Sequence, residues 1–497
     1  MEGTILAEFH TSKRQLLQLL SPIDVQKIHD KSLTILEKVG VIVKNKRAAL
    51  SLRNAGCEVD SNKGIVRMPR DLVKECLAKK SASDLKLYYR EGNHEQIIGN
   101  DDVIFNPGSC AVYFSDHKTG ETRRPLSRDL VDLVRLVDAL ENIHAQSTAM
   151  VPSDVPKEVS DLYRLYLVLK NSTKSIVTGA FTKRGLIDMK HLLEVVAGGE
   201  DNLMNKPMAI FDVCPSSPLV WSDTACQNLI DCATFDIPAE IIPAPQMGAT
   251  SPMTLIGTIV QSNAEFLSGL VISQVTKPGA PVIYGGSPTT FDMKYLSSCL
   301  GSIENMMVAC ASAQIAKYYK LPCHAYLGLS DSKMLDAQSG IETTSGIILG
   351  VLAGINVISG PGMLMFENCQ SLEKLVIDND ICGMALRLAD GLTVDDEKAA
   401  LEIIAKVGPG GHYLAEKHTR KWLKMERFLP SDVIDRLTEE AEKKQGSKDM
   451  ISRAREIVDS TLTEHVPEPL PLDIENNLRN VLKEIMSLYG IKSLPIL

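Results

Sequence analysis

The segment Leu321-Pro-Cys-His-Ala-Tyr-Leu-Gly-Leu-Ser-Asp-Ser-Lys333 carries the pattern that decides the fold. A short apolar stretch leads directly into Gly, Ser and Asp, which is typical of a buried strand that opens into a loop at a barrel mouth. A predicted helix from Asp336 to Leu352 follows, and then a second strand and loop, Ile355-Asn-Val-Ile-Ser-Gly-Pro-Gly362. Strand, loop, helix and strand together make one βαβ unit.

Similar units fill the chain from Asp101 onward, each with a short strand followed by a helical pattern. Eight strands are predicted, in the stretches Val103–Asn106, Ile143–Met150, Ser175–Thr178, Met208–Asp212, Ala239–Ile242, Pro281–Tyr284, Cys323–Tyr326 and Asn356–Ser359. Eight strands and eight helices over roughly 290 residues match a (β/α)8 barrel in number and size. A doubly wound open sheet is the alternative, but neither Gly-x-Gly-x-x-Gly nor a Walker-type loop is present, so the barrel is preferred.

Three regions are predicted on this basis. Residues 1–100 form a mixed helical and β segment, with a helix over Ser21–Val39 and short strands near Val41–Val43. Residues 101–394 form the (β/α)8 barrel, and residues 395–497 form a helical C-terminal extension. The helices of the extension are expected at His418–Arg427, Pro430–Lys443 and Ile474–Tyr489.

Composition limits the function classes. A net charge of −9 disfavours nucleic acid or an anionic membrane as the main partner, because both select a basic face. Eleven scattered cysteines without a Cys-x-x-Cys pair fit reduced thiols in a cytosolic enzyme better than disulfides or structural zinc. Met1–Leu20 has no targeting pattern, and the uncharged run Thr343–Phe366 is divided by glycines, so we expect a buried helix that leads into a buried strand and a cytoplasmic protein.

Common catalytic motifs are absent from the predicted loops. The sequence contains no His-Glu-x-x-His, no Gly-x-Ser-x-Gly and no lysine inside a predicted strand, so no metal site and no Schiff base is predicted. The loops are rich in Gly, Pro, Ser, Met and aromatic residues and poor in charge, as in Asn106–Phe114 and Pro245–Thr250. Such a mouth favours binding of a hydrophobic cation.

Four longer stretches resemble the trimethylamine methyltransferase family, and the similarity extends over nearly the whole chain. They are Gly120–Asp129, Gly328–Gln338, Phe366–Asp378 and Gly408–Thr419. The resemblance implies a (β/α)8 enzyme that moves a methyl group from an amine to Co(I) of a corrinoid carried by a separate protein. The founding members carry pyrrolysine near the position of Leu329, where this chain has an ordinary residue. The chain therefore resembles the branch without pyrrolysine, whose substrates are quaternary amines such as glycine betaine, proline betaine, carnitine and γ-butyrobetaine.

A quaternary ammonium already has a leaving group, so the protein needs only to hold the cation and align one methyl group. Seven candidate site residues follow. The catalytic candidates are Glu265, His324 and Asp331, and the substrate-binding candidates are Tyr113, Tyr284, Tyr326 and Phe366. Phe366 could equally be a core residue, His324 is more often a core histidine, Asp331 could cap a helix, and Glu265 could lie on a solvated face. The chain lacks Asp-x-His-x-x-Gly, so we expect the corrinoid on its partner protein and none bound tightly here.

Two other functions stay open at this point. A lyase or aldolase would turn over substrate without corrinoid, and a non-catalytic quaternary-amine binder would bind without transfer. The methyltransferase interpretation is preferred, with a homo-oligomer as the expected assembly.

Overall fold

The computed structural model describes residues 16–80, 84–92 and 94–495, and its centre is a closed barrel of eight short parallel strands. The first fifteen residues, which belong to the stretch predicted to lack a targeting segment, lie outside the described residues. The barrel strands are β1 Ile104–Asn106, β2 Gln146–Ser147, β3 Ile176–Gly179, β4 Ala209–Val213, β5 Ala239–Ile241, β6 Val282–Tyr284, β7 His324–Tyr326 and β8 Val357–Ser359.

Hydrogen bonding closes the sheet on itself. Strands β2 to β6 pair in chain order, and β7, β8 and β1 pair in the same way. Tyr284 bridges to Cys323 between β6 and β7. The amides of His144 and Ala145 donate to Phe105 O at 3.0 and 3.1 Å, which joins the start of β2 to β1. The predicted (β/α)8 barrel is therefore confirmed, and the open sheet is excluded.

A main helix follows each strand and packs outside the barrel, and β3 is followed by a second, short helix, Glu200–Asn205. The main helices are α1 Ser127–Ala139, α2 Ser160–Asn171, α3 Gly185–Ala197, α4 Asp223–Thr234, α5 Leu255–Thr276, α6 Ile303–Tyr318, α7 Ala337–Leu352 and α8 Leu372–Ala389. Helix α5 is long and apolar enough to span a membrane, but 83% of its most apolar window is buried in the protein. The run from Thr343 to Phe366 likewise divides between α7, β8 and the short strand Met363–Leu364.

The two ends of the barrel are closed differently. At the amino end of the strands, the hairpin Leu85–Tyr88 and Glu95–Ile98 inserts Leu87 and Ile98 against strand residues such as Ile210. At the carboxyl end, the segments after β1 and β8 form a four-stranded sheet of Tyr113–Ser115, Thr122–Arg123, Met363–Leu364 and Cys369–Ser371, which we call the cap sheet. The carboxyl end is the mouth, where barrel enzymes place their sites.

The N-terminal segment is mixed, as predicted. Its helices are Pro22–Thr34, continued by a π turn over Ile35–Val39, then Lys46–Asn54 and Arg70–Lys79. Its strands Val41–Val43, Glu58–Asp60 and Ile65–Arg67 form a sheet with Val220–Trp221. Helix Pro22–Thr34 packs on α5, so the segment covers the outside of the barrel.

The C-terminal extension is helical, with helices Asp396–Ala399, Leu401–Val407, Lys417–Glu426, Glu439–Gln445, Met450–Glu464 and Leu472–Leu488. The predicted helix Pro430–Lys443 is wrong in its first half, since helix begins only at Glu439. Ser431 instead donates its amide and hydroxyl to the buried Asp380 on α8, which holds this stretch as a loop. The prediction also missed Met450–Glu464, which packs on α8.

Candidate functional site

Two carboxyl groups enter the barrel interior from neighbouring strands. Asp212 on β4 is paired directly with Glu240 on β5 in the parallel ladder. Ile210 belongs to the apolar cluster inside the barrel, and Asp212 lies two residues after it on the same strand. Because side chains alternate along a strand, the side chains of Ile210 and Asp212 both point into the barrel. The carboxyls of Asp212 and Glu240 interact directly. An acidic pair therefore occupies the barrel axis below the mouth.

A third carboxyl, that of Glu367, comes from the turn of the cap sheet. Met365, Phe366 and Glu367 all have left-handed backbones, with φ of 55°, 58° and 69°. For side chains with a Cβ, each such residue costs about 1–2 kcal/mol. The amide of Met365 donates to Ser332 O at 2.9 Å, and the Asn368 side chain donates to the carbonyls of Met365 and Phe366. These bonds stabilise the strained turn that presents Glu367.

Burial controls the ionisation of the three groups. It raises the pKa of Asp212 to about 6. Burial, followed by repulsion from Asp212, raises the pKa of Glu367 to about 8 and that of Glu240 well above its usual value. No donor among the described residues hydrogen-bonds either Glu240 oxygen or Asp212 Oδ1, and the raised pKa of Glu240 favours its protonated form beside Asp212. Of Asp212 and Glu367, Asp212 has the lower pKa, so it carries negative charge at neutral pH while Glu367 is mainly protonated.

Neutral polar groups surround the carboxyls. Tyr326 Oη lies 3.4 Å from Asp212 Oδ2 and 3.0 Å from Ser109 Oγ. His324 Nε2 bonds Ser359 Oγ at 2.8 Å, and its Nδ1 lies 3.5 Å from Glu240 Oε1. Burial lowers the pKa of His324 to about 3, so the ring is neutral. The inner wall is therefore polar without being basic.

The carboxyls are deep but open to the mouth. Asp212, Glu367 and Cys110 are each half-buried, and Cys214 is exposed, although burial raises the pKa of the Cys214 thiol above its ordinary value. These side chains are accessible to solvent although protein surrounds them. They therefore form the wall of a cleft. Among the described residues no group of His, Cys, Asp and Glu has the arrangement of a metal site. The cleft is an anionic pocket.

The structure brings two predicted residues into this pocket, Tyr326 and His324, and it places Phe366 and Tyr113 at its cap. Phe366 precedes Glu367, but the Lys333 ammonium already lies 4.0 Å from the centre of its ring. The Arg124 guanidinium lies 4.7 Å from the ring centre of Tyr113. Both aromatic rings thus have a cation from the protein against one face.

Three other candidates lie outside the pocket. Tyr284 is buried between the sheet and α5, where its hydroxyl donates to Asn263 Oδ1 at 3.2 Å and its ring packs on Phe266. Asp331 follows β7 and accepts the amides of Leu300 and Gly301. Glu265 on α5 is buried and accepts hydrogen bonds from Ser217 Oγ, the Leu219 amide and Gln261. In these positions all three have partners within the protein.

The contacts of Glu265 predict a structural role. Glu265→Gln is expected to lower the free energy of unfolding by about 1–3 kcal/mol, because all three donors lose a charged acceptor. The KM for the substrate should not change. Denaturant unfolding and steady-state kinetics measure the two effects, and a raised KM with unchanged stability would instead place Glu265 at the substrate.

The expectation of a mouth with few carboxylates was wrong, and the sequence analysis missed Asp212, Glu240 and Glu367. A signal existed, since Asp212 and Glu240 are acidic residues within short, otherwise apolar strands, where a carboxylate is costly unless it has a function. Glu367 had no comparable local signal. Glu367 follows Phe366 in a segment whose sequence predicts only a loop.

Leu329 is the ordinary residue at the position that the family resemblance singles out. It is buried in the segment after β7, and its carbonyl lies 3.4 Å from Thr343 Oγ1. The adjacent Gly328 is required there, because a Cβ would lie 2.5 Å from Pro361 Cδ. The segments after β7 and β8 are therefore in close contact beside the pocket.

This protein has a polar pocket at the carboxyl end of a closed (β/α)8 barrel, which is where barrel enzymes have their active sites. It therefore belongs to that class of enzymes. The sequence profile of the family described as "Trimethylamine methyltransferase (MTTB)" matches residues 4–486. The chain therefore belongs to the trimethylamine methyltransferase family, and it is an enzyme of the amine methyltransferase class.

Individual relatives agree with this assignment. The chain is 33% identical over 464 residues to trimethylamine methyltransferase MttB of Desulfitobacterium hafniense, covering 93% of each chain. It is 32% identical over 465 residues to the glycine betaine methyltransferase of another strain of that species, covering 93% of this chain and 95% of the relative. The solved structure of the Methanosarcina barkeri monomethylamine methyltransferase (MtmB) is similar in fold, with a TM-score of 0.50, 12% identity and coverage of 89% and 92%.

Proposed function

We propose that this protein transfers a methyl group from a quaternary amine to Co(I) of a corrinoid carried by a partner protein. The observation that carries the proposal is the convergence of Asp212, Glu240 and Glu367 in the mouth, with no basic side chain hydrogen-bonded to any of the three among the described residues. A buried negative charge without a cationic partner is costly, and a substrate cation supplies that partner. The pair of quaternary ammonium and carboxylate needs no conventional hydrogen bond.

The main task of the protein in this reaction is to position the amine relative to the cobalt. As the methyl carbon bonds to cobalt, the C–N bond breaks and its electron pair stays on nitrogen, giving methyl-Co(III) and a neutral tertiary amine. The role of Asp212 and its neighbours is to hold the cation so that one methyl group faces the open mouth. Holding reactants in line is a major source of rate. Loss of the positive charge on reaction weakens binding of the product and favours its release.

The mouth also offers a surface for a protein partner. The segments after β5, β6 and β7 are joined, since Met247 N donates to Thr289 O and Asp331 accepts from Leu300 N. They expose a group of apolar side chains that we call the rim: Met253, Met293, Tyr295, Leu296 and Met334, each at least 60% exposed. Exposed apolar patches mark interaction sites, and an acceptor bound to a protein must cover this opening. The rim therefore supports a corrinoid protein as the partner.

The transfer itself is tested by mixing the enzyme with a panel of quaternary amines and free cob(I)alamin. Expected are the absorbance change to methyl-Co(III) and one tertiary amine per methyl group transferred. Turnover of an amine without any corrinoid would support a lyase, and binding without turnover would support a non-catalytic binder; either result contradicts the proposal.

The double variant Tyr295→Ser with Leu296→Ser tests the rim. We expect the KM for the corrinoid protein to rise on the order of tenfold or more, because central apolar contacts carry much of an interface's energy. The rate with free cob(I)alamin should stay unchanged. Leu401→Ser, at an apolar residue of the C-terminal extension that is 74% exposed, is the matched control. An unchanged KM for the partner in the double variant would remove the rim from the interface, and loss of self-association instead would assign it to a second copy of this chain.

A further inference from the structure

The first part of the C-terminal extension, residues 390–429, follows α8 directly, and we call it the arm. It contains three short helices, and in the described part of the chain none of their side chains is buried: Asp396–Ala399, Leu401–Val407 and Lys417–Glu426. At its far end Arg387 Nε on α8 donates to Glu426 O at 3.2 Å, and Gly383 on α8 leaves room for the Phe428 ring. The arm is thus anchored on α8, but its helices add nothing to the core.

The helices of the arm are too short to be stable without packing. They contain four, seven and ten residues, whereas isolated helices below about 12 residues are marginal in water, because packing of an apolar face supplies most helical stability. Five apolar side chains of the arm are at least 60% exposed: Leu392, Val394, Leu401, Leu414 and Met425. An exposed apolar patch marks a surface that another protein covers. The folded arm therefore requires a partner against these side chains.

The exposed charges of the arm are separated along its length. Two acids, Asp396 and Glu402, lie on its first two helices. Four bases lie on its third helix or directly after it: Lys417, Arg420, Lys424 and Arg427. None of these six side chains forms an ion pair with another described residue, although the neighbouring Lys421 is paired with Glu397 and so joins the first helix to the third. The arm thus has an acidic part and a basic part, and each lacks a partner within the described chain.

We infer that the arm joins two copies of this chain about a two-fold axis, with the acidic part of each arm opposite the basic part of the other. A two-fold contact uses the same surface twice, so a surface that carries both signs of charge complements itself. A purely acidic partner would fit the basic part but would be repelled by the acidic part, and a purely basic partner would meet the reverse problem.

The second copy is also the partner that is always present. A carrier protein that takes methyl groups elsewhere has to dissociate, which would expose the apolar side chains of the arm after each transfer. A permanent contact between two copies keeps them covered. The inference goes beyond the proposed function and does not depend on it, and the rim remains the surface for the corrinoid protein.

Sedimentation velocity of the full chain over a range of protein concentrations tests the association directly. We expect the native protein to sediment as a dimer. Two variants reverse the charges of one part each: the acid-reversed variant is Asp396→Lys with Glu402→Lys, and the base-reversed variant is Arg420→Glu with Lys424→Glu. Each should raise the Kd of the dimer on the order of 100-fold, because like charges then meet at both ends of a two-fold contact. A native protein that stays monomeric would overturn the inference.

A mixture of the two variants gives the decisive comparison. In the mixed dimer every charged group meets its opposite, so the Kd should return to near the native value, which a local loss of structure in either variant would not allow. Lys44→Glu with Lys63→Glu, at exposed lysines of the N-terminal segment, changes the net charge as much as the base-reversed variant and should leave the dimer intact.

Three results would contradict the two-fold contact. Reversed variants that associate as tightly as the native protein would remove the arm from the contact, and a mixture that fails to recover would exclude the two-fold pairing of charges. A raised KM for the corrinoid protein with unchanged self-association would assign the arm to that partner instead. Thermal unfolding of each variant establishes that the comparison is made on folded protein.

Discussion

Asp212→Asn is expected to lower kcat/KM for methyl transfer from a quaternary amine by on the order of 100-fold or more, since truncating one partner of a buried charge pair costs about 2–5 kcal/mol. Asp212 is the group that carries the negative charge of the pocket at neutral pH, and the amide cannot replace that charge. Asparagine is close to isosteric with aspartate, so the fold should be retained. Methyl-Co(III) formation at limiting amine measures the effect.

The pH profile separates Asp212 from a second aspartate with similar titration. Burial raises the pKa of Asp212 to about 6 and also that of Asp331 to about 6. In the proposed function the ionised form of Asp212 binds the cation, so kcat/KM should rise with pH through about 6 in the native enzyme. Asp212→Asn should remove this rise, whereas Asp331→Asn should keep it. If the rise persists in Asp212→Asn and disappears in Asp331→Asn, the two assignments must be exchanged.

Lys374→Met is expected to lower the free energy of unfolding by about 3–5 kcal/mol, because it leaves a buried carboxylate without its cation. Lys374 and Asp378 lie one turn apart on α8, and their side chains are only 1% and 2% exposed. The Lys374 ammonium also donates to Thr343 Oγ1 at 2.8 Å, which ties α8 to α7. Methionine retains the packing of the lysine stem, so the loss reports on the charge. Equilibrium denaturation by urea measures it.

The double variant Lys374→Met with Asp378→Asn provides the control for this pair. The Gly362 amide donates to Asp378 Oδ2 at 2.7 Å, and an asparagine oxygen can accept the same bond. We therefore expect the double variant to be more stable than Lys374→Met alone, since no unpaired charge remains. A single variant that loses less than about 1 kcal/mol would mean that solvent reaches Asp378 in its absence, contrary to the buried position described above.

The eight-strand count and the order of the barrel followed from the sequence, because a buried parallel strand flanked by amphipathic helices has a local signature. All eight predicted strands overlap those of the structure, and the family resemblance agreed with this result. The segment Pro430–Lys443 shows the limit of that reasoning. Its helical pattern is overridden by a tertiary contact between Ser431 and Asp380, which no local propensity encodes.

The assembly of the pocket was decided by tertiary structure. Asp212 and Glu240 come from consecutive strands and Glu367 from a loop far along the chain, and their meeting depends on how each strand is rotated in the closed barrel. Tyr284 and Tyr326 illustrate this, since both end a short barrel strand, yet Tyr284 points to α5 and Tyr326 into the pocket. The turn at Met365–Glu367 adopts backbone angles that isolated residues of these types avoid. Only the hydrogen bonds of the cap sheet and the segment after β7 offset that strain, so the position of Glu367 is a property of the folded protein.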